Sequence, residues 1–235
     1  MNWKRQIKKY LASFCGLNYC PFCDSFVKFR PFGKDLRPRA ECPFCGSLER
    51  HRFLLAVYRK MVLNSEKPLR LLHTAPETMF AKLFQKEDQI AYTSIDLFPE
   101  MFPEVSCIKA DVTKLPFEDG TFDVIISNHV LEHIPEEQKC LAEFQRVLAP
   151  QGRAFLTFPV DLNLPETLED PAIQTSEERL KYYGQADHVR LYGQDAEKRL
   201  GEFFRVQIIT ADAFIPYGNQ HWDGAAYCFL LTHKN

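Results

Sequence analysis

Two cysteine pairs dominate the chemistry written in this chain. Cys20-Pro21-Phe22-Cys23 and Cys42-Pro43-Phe44-Cys45 are separated by 18 residues. A CxxC turn directs two thiolates at one ion, and two such turns complete a tetrahedral set. Gly46 suits a tight knuckle in which backbone N–H groups approach sulfur; Asp24 stands in its place after the first pair. Four sulfur ligands leave no open coordination position, so the expected ion is a structural zinc rather than a catalytic one. Two unrelated redox pairs are the competing reading. The other cysteines, Cys15, Cys107, Cys140 and Cys228, are scattered. A reducing, cytoplasmic compartment with one metal site accounts for all eight most simply.

A second set of polar residues falls at the ends of apolar runs. "LRLLH" ends at His73, "AYTSIDL" carries Asp96, "VSCIKADV" carries Asp111 and Val112, and "FDVIISNH" ends at Ser127-Asn128-His129. Asp96 follows His73 by 23 residues, close to the spacing at which an acidic residue accepts hydrogen bonds from ribose hydroxyls. An Asp that caps a strand is commonplace, but polar strand ends gathered on one rim would suit a nucleoside pocket.

The elements that position these residues alternate. Between the four runs above and "QGRAFLTFP", "FRVQIITAD" and "AAYCFLLTHK" lie "TMFAKLFQK", "PEEQKCLAEFQRVL" and "AEKRLGEF", which read as helices. Leu141, Phe144, Val147 and Leu148 share one helical face. Such alternation predicts an α/β fold, a Rossmann-like, mostly parallel, seven-stranded sheet covered on both faces. The first sixty residues differ. They hold 13 Lys/Arg against 4 Asp/Glu, a net of +9, whereas the rest nets −11. A basic module on an acidic body suggests contact with a polyanion or docking of one part on the other. The expected organisation is a basic zinc-ribbon module over 1–48 with an N-terminal amphipathic helix, a linking helix over 49–65, and a catalytic-type domain over 66–235. Phe53, Leu54, Val57, Tyr58, Met61 and Val62 recur at helical spacing in the linker, and His51 is assigned to its polar face. No apolar run reaches the roughly 20 residues of a membrane span. The N-terminal apolar stretch is too short for a signal peptide; a membrane-surface anchor is its lesser reading.

Residues 111–159, "DVTKLPFEDGTFDVIISNHVLEHIPEEQKCLAEFQRVLAPQGRAFLTFP", resemble the central block of class I S-adenosylmethionine-dependent methyltransferases, of the type 11 kind. The resemblance implies S-adenosylmethionine as cofactor, with Asp96 at the ribose, Asp111 and the Val112 backbone at the adenine, and the Asn128 region at the junction of cofactor and acceptor. The chain departs from the family in its first motif. "LLHTAPE" places His73 at the usual acidic position, Ala75 at the first glycine and Glu77 at the second. The cofactor has no pyrophosphate to cradle, so the site needs space and polar partners for an amino-acid end. Ala75 is small, and His73 and Glu77 supply polar groups, with Glu77 suited to the ammonium.

Methyl transfer from a sulfonium is an in-line displacement that asks the protein for alignment and, for a hydroxyl or protonated amine, a base. "NHVLEH" offers His129, Glu132 and His133. Residues 160–192 are too long for a simple connector and are expected to form a lid, with His188 the further candidate for catalysis among Tyr182, Tyr183, Asp187, Arg190 and Tyr192. The expected acceptor is a small molecule or glycan-type compound. Two rival readings are an RNA methyltransferase that holds RNA through the basic, aromatic-bearing residues 24–41, and a non-catalytic scaffold that keeps the fold.

Overall fold

A computed structural model describes residues 16–33, 36–211 and 227–234. The N-terminal amphipathic helix expected before residue 15 lies outside the described residues. The described chain divides into two compact units, the first holding residues 16–64 with Thr210 and Ala211, the second residues 65–209 and 227–234.

In the first unit, strand β1 (Asn18–Cys20) pairs antiparallel with β2 (Ser25–Val27), and β3 (Arg30–Phe32) pairs with β4 (Arg37–Glu41). The basic stretch 30–39, expected as an open loop, is therefore largely a two-stranded ribbon. Helix α1 (Glu49–Met61) belongs to this unit. Its apolar positions are buried as their spacing predicts, including Phe53, Leu54, Val57 and Tyr58. His51 is a correction: it is buried, and its Nδ1 accepts the Leu48 N–H at 3.1 Å. That bond satisfies an amide at the helix start, where no residue further back can supply a partner.

The second unit holds strands β5 (Leu69–Thr74), β6 (Ile90–Asp96), β7 (Ile108–Lys109), β8 (Phe122–Asn128), β9 (Leu148–Thr157), β10 (Arg205–Thr210) and β11 (Tyr227–Thr232). They form one sheet in the order β10-β11-β9-β8-β5-β6-β7. The β5–β6, β5–β8, β6–β7 and β8–β9 pairs are parallel; β11 runs antiparallel to β9. The central strands are buried on both faces, which explains their near-continuous apolar runs: Leu71, Leu72, Val124, Ile125 and Ile126 are all at 0% exposure. Helices α2 (Thr78–Phe84), α3 (Glu137–Val147), α4 (Ser176–Tyr183) and α5 (Ala196–Gly201) lie between strands. Helix α3 buries Cys140, Leu141, Phe144 and Val147 in the core that also contains Leu72, Ile125 and Leu156.

The strand order reverses between β5 and β8. From β5 the chain builds outward through β6 and β7, then returns to lay β8 on the other side of β5. Connections that diverge from two neighbouring strands leave a crevice at their carboxyl ends, which is where ligands bind in open α/β sheets.

Candidate functional site

Ala75 and His129 immediately follow β5 and β8, the two strands that bound this crevice. Both have left-handed backbone angles, φ +46° and +52°. In the second unit they are the only non-glycine residues among those described that do so. Each still extends its sheet by one bond: Ala75 N–H donates to Ile95 O at 3.0 Å, and His129 N–H to Thr157 O at 2.7 Å. The backbone then turns sharply out of the sheet. A Cβ in this region costs about 1 kcal/mol, and such strain concentrates at functional sites. The glycine-free stretch thus makes the turn a glycine would make, using the smallest side chain that is not glycine.

Glu77 stands at the start of α2 and faces a polar network. His73 is fully buried. Its Nδ1 lies 3.0 Å from Tyr92 Oη and its Nε2 2.9 Å from Glu77 Oε2. Asn128 Nδ2 donates to the same Glu77 oxygen at 3.3 Å, and Thr157 Oγ1 donates to Asn128 Oδ1 at 3.2 Å. Thr74 Oγ1 donates to Ser127 Oγ at 2.9 Å beneath them. Both His73 nitrogens are engaged inside the protein, so His73 meets Glu77 rather than the open crevice. Burial pushes the Tyr92 phenol well up, so it stays protonated, and the Glu77 charge adds to the shift. Residue type and spacing alone do not single out Tyr92 or Thr157. The only signal for Tyr92 is its position in "AYTSID", on the face shared with Ser94 and Asp96.

Asp96 ends β6, half-buried, with Oδ1 accepting the Phe98 N–H at 2.7 Å. Asp111 lies just beyond β7, exposed, and its Oδ1 accepts from Thr113 N and Oγ1 at 2.8 Å each; Val112 is buried. The loop that follows is tied to α3. Glu143 Oε2 accepts the Leu115 N–H at 2.7 Å, and Arg146 donates to the Leu115 and Phe117 carbonyls at 3.0 and 2.7 Å. Residues of "LPF" and "RVL" are thus bonded to each other, which accounts physically for their joint presence in the sequence block.

The three catalytic candidates meet. Glu132 and His133 lie on the short turn after β8, and His188 reaches them from the 160–192 segment. One ligand atom from each lies within 4.8 Å of those of the other two. The His133 and His188 rings pack edge to face with centroids 4.8 Å apart. Burial pushes the His188 imidazole below its usual range, although the Glu132 charge opposes it.

The segment itself is firmly anchored. Val160 and Leu168 form bridges with Tyr192 and Leu191, and Val189 N–H donates to Glu132 O at 2.9 Å. Arg190 corrects an expectation: grouped by sequence with an acceptor site, it is 1% exposed and donates to the carbonyls of Leu131, Ile134 and Pro135 and to Glu169. Tyr192, also buried, donates to Glu137 Oε1 at 2.8 Å. These two residues pin the segment rather than line a pocket. Gly193 permits the crossing, since a Cβ there would lie 2.6 Å from the Glu166 backbone.

In the first unit the four expected cysteines converge. Cys20 and Cys45 sulfurs are 3.5 Å apart, and those of Cys23 and Cys42 are 3.7 Å apart. Sulfurs at about 2.3 Å from one tetrahedral ion are spaced in this range. Asp24 and Gly46 both take left-handed angles, φ +51° and +67°, so the two knuckles match despite their different residues. Burial opposes ionisation of Cys20, yet its thiol is pulled down to about 7 by the Ser47 hydroxyl and the backbone amides of Cys23 and Phe22. Burial, with Cys20 and Cys42 alongside, pushes Cys23 up to about 12. A shared cation removes that mutual repulsion. The donor set suits zinc, and the site is closed.

An open, mostly parallel sheet with its reversal at β5/β8 and polar residues on that rim places the second unit among the open α/β domains, whose ligands bind at such a rim. Comparison with known proteins narrows the class. Residues 77–156 match the family model described as a methyltransferase domain. Malonyl-[acyl-carrier protein] O-methyltransferase of Halorhodospira halophila is 31% identical over 116 residues, 44% of this chain and 38% of that protein. The chain spans less than half the length of the curated relatives it matches first. Among solved structures, the fold resembles YcgJ protein from Bacillus subtilis (TM-score 0.50, 17% identity, 79% of this chain and all of that one). It also resembles the Burkholderia thailandensis 1,6-didemethyltoxoflavin-N1-methyltransferase, solved with 1,6-didemethyltoxoflavin and S-adenosylhomocysteine (TM-score 0.50, 14% identity, 79% and 78% coverage). Over residues 77–156 the second unit is thus similar to a methyltransferase domain, on a fold it shares with a methyltransferase solved with S-adenosylhomocysteine.

Proposed function

We propose that this chain binds S-adenosylmethionine in the β5/β8 crevice and transfers its methyl group to a small-molecule or glycan-type acceptor. The paired left-handed turns at Ala75 and His129, with Glu77 and Asn128 between them, carry this reading. In it, the Glu77 carboxylate receives the ammonium of the cofactor's amino-acid end. Asp96, set by its bond to Phe98, receives the ribose hydroxyls. Asp111 and the Val112 backbone meet the adenine. The cofactor supplies a methyl on sulfonium, whose neutral thioether leaves without a proton. The protein's remaining task is to align the acceptor and take its proton. Glu132 is the candidate base, joined to the end of β8 through His129, whose Nδ1 lies 3.2 Å from Glu132 Oε1.

The cysteine cluster holds zinc as a structural ion in this reading. Seven free thiols among the described residues suit a reducing cytoplasm. No helix among the described residues is long and apolar enough to cross a membrane.

The test is calorimetric titration of the zinc-loaded protein with S-adenosylmethionine and S-adenosylhomocysteine, beside Asp96→Ala. Micromolar binding weakened in the variant supports the reading. A folded protein that binds neither supports a non-catalytic scaffold instead.

An RNA acceptor is favoured by one observation. The β3–β4 ribbon and the residues leading into it present Lys28, Arg30, Phe32 and Arg39 as exposed side chains. Arg37 is less available, because it pairs with Glu49 at 3.1 Å.

A further inference from the structure

Glu132 and His188 are 1% and 2% exposed, and each carries a buried polar atom with no partner: Glu132 Oε2 and His188 Nδ1. Leaving such atoms unsatisfied is costly. Both belong to the cluster completed by His133.

The arrangement of the other atoms is informative. Glu132 Oε1 is held by His129 Nδ1 at 3.2 Å. His133 Nδ1 faces the Asp187 carbonyl at 3.3 Å and its carboxylate at 3.4 Å. His188 Nδ1, in a ring packed edge to face on His133, has no partner. Glu132 and His133 therefore each have one atom fixed by an outer partner and one left for something else. Metal-binding histidines characteristically have their second nitrogen engaged by a carbonyl or carboxylate in this way.

The geometry points to a divalent cation site formed by Glu132 Oε2, His133 Nε2 and His188 Nδ1, distinct from the cysteine cluster. Two imidazoles and one carboxylate suit a first-row transition ion such as zinc or iron(II). Three protein ligands leave open positions, unlike the closed cysteine site. Bonds of about 2.1 Å place neighbouring ligand atoms roughly 3 to 3.5 Å apart, so binding draws the three side chains inward. His133, half-exposed, marks the solvent side. Resting on the function proposed above, the open positions take an oxygen of the acceptor, a hydroxyl or enol, beside the crevice end of β8.

Calorimetric titration of the full-length, zinc-loaded chain with Co2+, in the absence of S-adenosylmethionine, tests the site separately from cofactor binding. The expected result is one equivalent taken up beyond the cysteine-bound zinc, with weak visible bands and no thiolate charge-transfer absorption. His133→Gln and His188→Gln are expected to weaken uptake at least tenfold, and Asp187→Asn about tenfold. Asp187 is exposed, so that variant stays informative should a histidine variant fail to fold. No uptake by the wild-type protein, or uptake by both His133→Gln and Asp187→Asn equal to that of the wild type, overturns the proposal whatever the cofactor titration shows.

Discussion

His73 Nε2 sits 2.9 Å from Glu77 Oε2, four residues on across the bend from β5 into α2. With Nδ1 accepting from Tyr92 Oη, Nε2 carries the proton and donates to the carboxylate. The buried ring therefore acts as a fixed support for a partly exposed carboxylate at the start of α2. A motif lacking its usual acid and glycines thus still presents one negative charge, held from beneath.

Glu77→Gln removes that charge and keeps the shape. Hydrogen bonds to charged groups contribute about 1.5–3 kcal/mol, so affinity for S-adenosylmethionine and S-adenosylhomocysteine is expected to fall by roughly tenfold to a hundredfold. Titration calorimetry reads both. Unchanged affinity would move the ammonium site elsewhere on the rim.

Ala75 supplies a stability test. Ala75→Gly relieves a left-handed Cβ and is expected to stabilise the protein by up to about 1 kcal/mol, net of the added freedom of the unfolded chain. Ala75→Val puts a β-branched side chain into the same angle and is expected to destabilise it and weaken cofactor binding. Denaturant midpoints for the two variants should lie on opposite sides of the wild type. Midpoints on the same side would mean that strain at φ +46° is not what distinguishes this position.

The anchored segment predicts a pH effect. Burial opposes ionisation of Glu169, but bonds from Arg190 and Arg199 outweigh it and hold its carboxyl below the usual 4.5. A depressed carboxyl contributes stability above its unfolded pKa, and the contribution is lost as pH falls through the lower folded value. Glu169→Gln should therefore melt lower than wild type at pH 7, with the gap closing below about pH 4.5. The carboxylate is partly exposed, so the gap should also shrink in high salt. Thermal melts across pH and salt read both trends; a gap that widens in acid would reverse the sign.

Loss of the proposed zinc ligands should affect the first unit. Cys42→Ser is expected to lower bound zinc at the cysteine cluster and to open residues 16–64 to protease. Metal analysis and limited proteolysis measure the two. Undiminished zinc in that variant would show that the four thiols do not form one site.

For an RNA acceptor, Arg30→Ala with Arg39→Ala should weaken RNA binding and lower the salt slope by about two, one for each phosphate that is no longer neutralised. Filter binding across salt concentrations gives the slope. Wild-type binding insensitive to salt would remove the ribbon as an RNA surface.

Much of this protein is decided locally, and local decisions are legible in sequence. The cysteine set is one: CxxC turns bring thiolates together through short-range geometry, and Cys20, Cys23, Cys42 and Cys45 meet as their spacing predicts. The parallel strands are another, because burial on both faces demands apolar runs such as those of β5 and β8. Helix α3 follows from a 3.6-residue period. The 30–39 ribbon does not, because a two-stranded antiparallel pair leaves little alternation when both faces are wet.

Other features depend on which strands become neighbours. His73 is legible as a strand end, but its burial against Tyr92 requires β6 to pair in register with β5. Arg190 and Tyr192 read as a polar acceptor cluster; only packing shows that Arg190 satisfies three backbone carbonyls and that Tyr192 bonds to Glu137. The joining of His188 to Glu132 and His133, far apart along the chain, is likewise a matter of how residues 160–192 fold back over the end of β8. Spacing along the chain sets what a turn or helix face can do. Long-range pairing, which no local period encodes, decides which polar atoms are satisfied and which, like Glu132 Oε2 and His188 Nδ1, are left open.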